Sequence, residues 1–324
     1  MVNATIRDLR TSELAWQVTL GISALAAIAL NLTGLTFRVE FAPNAVIAVT
    51  SYFFITLYYR LLKPDALLAR MLIGLGQLIV VMLTGALLTY AASAVPFPYR
   101  DAELQAIDQW FGFERVAYLA FMNEHETLRK LFEFAYGSMM QQTTLIIAAA
   151  MIARRPDRLQ AYVIAFGLAL TATALIALFV PASSALIYVD KIPLDAADLP
   201  NSFSLLEALR AGSLRVVSLN ALDGLITFPS FHTANAILFV WAFWSIPVAR
   251  YFILLLNVLL IASTPLCGAH YVIDVVGGAV VAIGAIYVTS RLLDVTPHHA
   301  LVRDAHGRGE PGHGEIARSL RAAE

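Results

Sequence analysis

The chain has 324 residues, 59% of them hydrophobic and only 14% charged, with a net charge of -1 at pH 7. Soluble domains carry about 25% charge, so this composition reads as a multi-spanning membrane protein. The few basic residues fall in short gaps between apolar runs, leaving no basic patch for nucleic acid. The single cysteine, Cys267, excludes an internal disulfide framework and a multi-cysteine metal cluster.

Eight apolar segments are long enough, or nearly so, for a hydrocarbon core that needs about 20 helical residues. They lie near 14–36, 43–62, 68–92, 131–153, 159–181, 229–247, 250–267 and 271–292. The first follows Arg7 and Arg10, and Ala24-Leu25-Ala26 mimics a cleavage site, but the apolar run continues past it and reads as a retained span. Between the third and fourth spans, Leu104, Ile107, Phe111 and Phe113 recur at near-helical spacing beside Asp101, Glu103 and Asp108. That pattern predicts an amphipathic helix lying in the membrane interface. The fourth span carries a polar stripe, Tyr136, Gln141 and Gln142, which suits a site or helix-packing hydrogen bonds equally. The loop 182–228 mixes Pro193, Pro200, Asp190, Asp195, Asp198 and Asn201, as a segment covering a site does. Pro265 and Gly268 divide the last apolar stretch into two spans. After Arg291 the chain turns polar and Gly/His/Arg-rich, the composition of a disordered tail.

With both termini on one side, that side holds 14 basic residues and the other eight. The short loops around Arg60 and Arg154 weigh most, and the positive-inside rule makes them cytoplasmic. The loops 93–130 and 182–228 then face outside, in a cell or inner membrane.

Of seven histidines, His298, His299, His306 and His313 lie in the tail at irregular spacing. His125, in NEHETLR, lacks the second histidine of a zinc-protease helix and reads as an interfacial polar residue. His232 and His270 remain, both at the outer ends of spans. Ionisable residues there are functional candidates by default. Asp274 follows His270 by four residues, on the same helix face. It can hold one ring nitrogen and leave the other to attack an electrophile, or the pair can simply lock two helices together. FPSFHTA, at 228–234, shifts the balance toward the first. Pro229 suits a first helical turn, and its free amides with the Ser230 hydroxyl suit a phosphate. His232 in that turn can protonate a departing oxygen. A nucleophile, an acid and an anion site together compose a phosphoryl-transfer centre.

FPSFHTA and STPLCGAHYVIDVVGG resemble the second and third signature motifs of the type 2 phosphatidic acid phosphatase superfamily, which includes haloperoxidases and lipid phosphatases. The form is closer to the inositolphosphotransferase-like branch, that of inositol phosphorylceramide synthases. The resemblance implies an all-α membrane bundle, a phosphohistidine intermediate, a lipid phosphate or phospholipid substrate, and no metal or cofactor. It also implies His270 as nucleophile, Asp274 as its partner and His232 as acid. It divides the chain into N-terminal helices (1–95), a catalytic membrane domain (96–292) and a cytoplasmic tail (293–324). Three departures stand out. The family has glycine at Phe231 and arginine at Thr264, and its lysine-to-Arg-Pro first motif is missing after the fifth span, where this chain reads LFVPASSALIYVDK. Arg155-Pro156 is on the wrong side to replace it. Outer-side cations left to meet a phosphate are Lys191, Arg210, Arg215, Arg129 and Lys130. Hydrolysis and transfer share their first half-reaction, so the motifs do not choose between phosphatase and headgroup transferase. A transporter or scaffold is the non-enzymatic alternative, disfavoured by the near absence of mid-membrane charge and of an inverted repeat.

Overall fold

The computed structural model describes residues 2–39, 43–62, 66–191, 201–219, 222–247 and 249–293. The polar tail with its four histidines, Lys63, and Pro193, Asp195, Asp198 and Pro200 of the covering loop lie outside these residues. The helices are α1 (Val2–Thr33), α2 (Pro43–Leu61), α3 (Ala66–Ser93), α4 (Asp101–Trp110), α5 (Arg115–Glu124), α6 (Glu126–Gly137), α7 (Met139–Ile152), α8 (Pro156–Phe179), α9 (Ala185–Tyr188), α10 (Asn201–Arg210), α11 (Phe231–Phe243), α12 (Ala249–Cys267) and α13 (Val272–Leu292). The protein is an all-α membrane bundle. Five helices have the length and apolarity of a span, and three shorter apolar ones, within α2, α7 and α11, complete the eight segments read from the sequence.

The fourth segment is not one rod. It breaks at Ser138 into α6 and α7, and Ser138 donates from its hydroxyl to Ala135 O at 2.6 Å. α6 runs along α12, and α7 packs against α8 and α11. A two-stranded parallel ribbon, β1 (Thr36–Arg38) with β2 (Val216–Ser218), links the end of α1 to the approach to α11. No hydrophobic period announces three-residue strands.

The core lies where α8 meets α1, α3, α11 and α13, around Tyr162, Phe166, Ala169, Leu238, Phe239 and Ala282, all buried. α8 is buried on nearly every side, as expected of a helix apolar all round at the centre of a bundle. α3 and α8 run parallel: Gly74 faces Leu159 and Gly85 faces Leu170. At 24 residues α8 is about 36 Å long. Its start carries Arg155, which pairs with Asp157 at 2.9 Å. Its far end leads through Pro181 and Ser184 to the histidine loop. Arg155 therefore stands at the opposite end of α8 from the segment that holds the histidine loop.

α11 has only 13 residues. Its first, Phe231, meets Phe166 edge to face at 5.3 Å, about half-way along α8. The first turn of α11 is thus recessed within the bundle by roughly 20 Å from the far end of α8. α4 and α9 pack against each other, and α4 against the start of α13, beside that recess.

Candidate functional site

The histidine loop begins where α12 stops. Gly268 N–H donates to Thr264 O at 3.0 Å and His270 N–H to the same carbonyl at 3.4 Å, closing the chain back on the last turn. Ala269 takes φ +51, a left-handed conformation that residues bearing a Cβ seldom adopt. Its carbonyl is held from outside, accepting from the Ala185 amide at 3.1 Å and the Ser184 hydroxyl at 3.2 Å. Asp274, in the first turn of α13, accepts on Oδ2 from the Tyr271 amide at 2.8 Å and lies 3.1 Å from His270 Nδ1. A carboxylate in a helix's first turn caps free amides and suits the local dipole. The same oxygen therefore starts the helix and orients the imidazole. His270 and Asp274 are both buried.

α11 is tied to this loop through its N-cap. Ser230 N–H donates to the Asp274 carbonyl at 3.0 Å, and Ser230 Oγ accepts from Thr233 N–H at 3.4 Å. Gly278 makes the approach possible: a Cβ there would overlap the Ser230 carbonyl and lie 3.0 Å from Thr233 Cβ. His232 is thereby brought to a ring-centroid distance of 6.3 Å from His270. Tyr136 of α6 stacks on His232 at 4.3 Å, with its hydroxyl 3.3 Å from Nδ1. Space around these rings is tight. A Cβ on Gly268 would stand 2.5 Å from His270 Cδ2 and 2.8 Å from the Tyr136 hydroxyl.

Three side chains that the sequence reading did not single out for the site hold the loop. Asp108 accepts from the Val272 and Ile273 amides at 2.8 and 2.9 Å, satisfying the first turn of α13. Asp101 accepts from the Tyr271 hydroxyl at 2.8 Å and from the amides of Ser183 and Ser184 at 2.8 and 3.1 Å. Arg115, almost wholly buried, donates from Nη1 to Pro265 O at 2.7 Å and from Nε to both oxygens of Asp190 at 3.1 and 2.9 Å. A signal for the aspartates was present. Asp101, Leu104 and Asp108 follow i, i+3, i+7 spacing and form the buried face of α4, whereas Ile107, Trp110 and Phe111 are exposed. The predicted amphipathic helix exists, and its inward face carries carboxylates.

Burial pushes the His270 imidazole down to about 4, with the Thr227 carbonyl working against the shift and the Arg115 charge adding to it. The ring is accordingly neutral near pH 7. Burial raises the Asp108 carboxyl, while its bonds to the Val272 and Ile273 amides favour the charged form.

The expected cations fall elsewhere. Arg210 donates to the carbonyls of Val95 and Phe97 and lies over the Tyr99 ring at 3.9 Å. Arg215 donates to Thr33 O beside the ribbon. Arg129 and Lys130 pair with Glu133 and Glu126 on the exposed face of α6. Lys191 is exposed, immediately after Asp190. Thr264 is buried and gives its hydroxyl to Ile261 O, while its carbonyl shapes the histidine loop. His125 is exposed and stacks on Phe121. Gln142 accepts from Asn257 Nδ2 at 2.6 Å, a packing bond between α7 and α12. Among the described residues, no group of three or more His, Cys, Asp or Glu side chains is placed to hold a metal.

Fold and site together define a multi-pass helical membrane protein with a pair of histidines where two apolar helices begin, His270 buried on an aspartate and His232 half-buried. Residues 102–288, more than half of the chain, match the family model of the PAP2 superfamily, and the chain belongs to that superfamily. Membership places its activity among phosphatases and phosphotransferases in general terms. The match runs from α4 into α13 and leaves α1 to α3 outside it. No curated protein and no solved structure matches the chain.

Proposed function

We propose that the protein is a membrane phosphatase or phosphotransferase acting on lipid-linked phosphate esters through a phosphohistidine intermediate, with the site open to the outer membrane face. The observation that carries this reading is the His270–Asp274 contact set against His232 across 6.3 Å. With Nδ1–H donated to Asp274, His270 Nε2 keeps its lone pair. That pair forms the N–P bond as the ester P–O bond breaks, and His232, as the imidazolium, passes a ring proton to the departing oxygen and is left neutral. Water or a second alcohol then attacks phosphorus and gives its proton to His232, and the N–P bond breaks. Water yields a hydrolysed product, and an alcohol yields a transferred headgroup. A nucleophile about 3–3.5 Å from phosphorus and a leaving-group hydrogen bond of about 2.8 Å suit two rings at this separation. The amides opening α11 and the buried Ser230 add an anion-favouring surface.

A headgroup transferase of the inositolphosphotransferase-like kind is the second reading. It is favoured by the bonds of Arg210 to the Phe97 carbonyl and of Arg215 to the Thr33 carbonyl, which leave fewer uncommitted cations for a doubly charged phosphate.

The test is to incubate the full chain, reconstituted in vesicles, with phosphatidate and with a labelled phospholipid plus diacylglycerol or ceramide, following products by mass spectrometry. His270→Ala should lower turnover by about a thousandfold or more while the protein stays folded. An acid-labile, base-stable label should appear on the wild-type chain and be absent from the variant. Full activity in His270→Ala would remove the proposed site.

A further inference from the structure

The charges around the histidine loop are lopsided. Asp101 and Asp108 reach it from α4 and Asp274 from α13, Asp190 just after α9 pairs with Arg115 beside it, and Glu133 and Asp223 act on Cys267 and Tyr136 nearby. Among the described residues, Arg115 is the one Lys or Arg bonded to the segment 265–274. A guanidinium has five N–H groups. The bonds to Asp190 and Pro265 use Nε–H and one on Nη1, so three remain. Asp190 is itself mostly buried, so its charge is set against Arg115 with little screening by water.

We propose that Asp190 is a specificity-determining residue: it neutralises much of the Arg115 charge beside the histidine loop, so that the site takes a singly charged phosphodiester in preference to a doubly charged phosphate monoester. The inference rests on the phosphoryl-transfer reading of His270 and His232. A monoester dianion brings two negative charges to a place where one cation is already paired and several carboxyls stand close, whereas a diester brings one. Arg115 still supplies direction, because the two-oxygen hold on Nε and the Pro265 carbonyl on Nη1 fix the plane of its remaining donors. Lys191, the next residue after Asp190, is exposed.

The experiment uses the full chain in detergent micelles and two small anions, inorganic phosphate and dimethyl phosphate, with affinity read from thermal shift and from inhibition of turnover. The wild type should bind dimethyl phosphate at least as tightly as phosphate at pH 8. Asp190→Asn should raise the phosphate affinity by about tenfold relative to dimethyl phosphate, since one unit of charge is returned to the site. Asp190→Glu should keep the wild-type ratio. Losing one partner of a buried pair destabilises the fold, so phosphate should also raise the melting temperature of Asp190→Asn more than that of the wild type. Wild type that prefers phosphate tenfold or more overturns the proposal without any variant, and so does an unchanged ratio in Asp190→Asn. Failure of either anion to bind or inhibit, together with full activity in His270→Ala, would overturn the phosphoryl-transfer reading itself.

Discussion

A buried imidazole is the feature on which the chemistry turns. With its ring pushed down to about 4 from 6.5, His270 stays unprotonated, as the proposed nucleophile must, as pH falls through the range where an exposed histidine charges. On a phosphodiester substrate, whose charge is constant here, the acid limb of kcat/KM should therefore lie well below 6.5 and near 4. An acid limb at 6.5 would mean that the ring is not held neutral by burial. The same shift has a stability consequence of defined sign. Between pH 6.5 and 4 the unfolded chain takes up a proton on this histidine that the folded chain refuses, so folding stability declines as pH is lowered through that window. Ala269 adds a local cost, since a left-handed residue with a Cβ is disfavoured by about 1–3 kcal/mol. The Ser184 and Ala185 bonds to its carbonyl are what keep it there.

At the scale of elements, α4 is the support of the site. Its ten residues bury Asp101, Leu104 and Asp108, and the second aspartate closes the N-terminus of the helix that carries Asp274. Removing that acceptor leaves two buried amides unpaired, and a lost helix cap costs about 0.5–2 kcal/mol. Asp108→Ala should lower the melting temperature and reduce kcat by more than it raises KM, because the loop between α12 and α13 loses its seat. Asp108→Asn retains one acceptor oxygen and should recover most of both. If Asp108→Ala melted and turned over like the wild type, α4 would be a cover and not a support.

The whole molecule has two unlike ends. The basic turn between α7 and α8, with Arg154, Arg155 and Arg158, stands at the start of α8, and the histidine loop is reached from the opposite end. We expect the basic end to be cytoplasmic by the positive-inside rule. In a chain with Cys267 replaced, a cysteine at the exposed Lys130 should react with a membrane-impermeant thiol reagent in intact cells, and one at Arg154 should not. The reverse labelling would invert the orientation. The recess matters at this scale too. Because α11 starts about half-way along α8, His232 lies within the bundle, beside α4 and α9.

The apolar segments and the superfamily were legible from local pattern alone. Apolar runs separated by charges record which segments avoid water, and an i, i+4 His–Asp pair placed by a helix N-terminus is a relation within one short stretch of chain. The division at Pro265 and Gly268 was legible for the same reason, as proline and glycine act on their own backbone. The face of α4 was half legible: its spacing is in the sequence, but apolar Ile107 and Phe111 outweigh two aspartates until the amides of Val272 and Ile273 are known to lie opposite. Which cation stands beside the histidines was not legible at all. Arg115 is 150 residues from Pro265, and among eight arginines and lysines of that side no local rule ranks one above another. Only the fold, which brings Arg115 at the start of α5 to the Pro265 carbonyl near the end of α12, selects it, because a buried charge is decided by the partners that surround it and not by its neighbours in sequence.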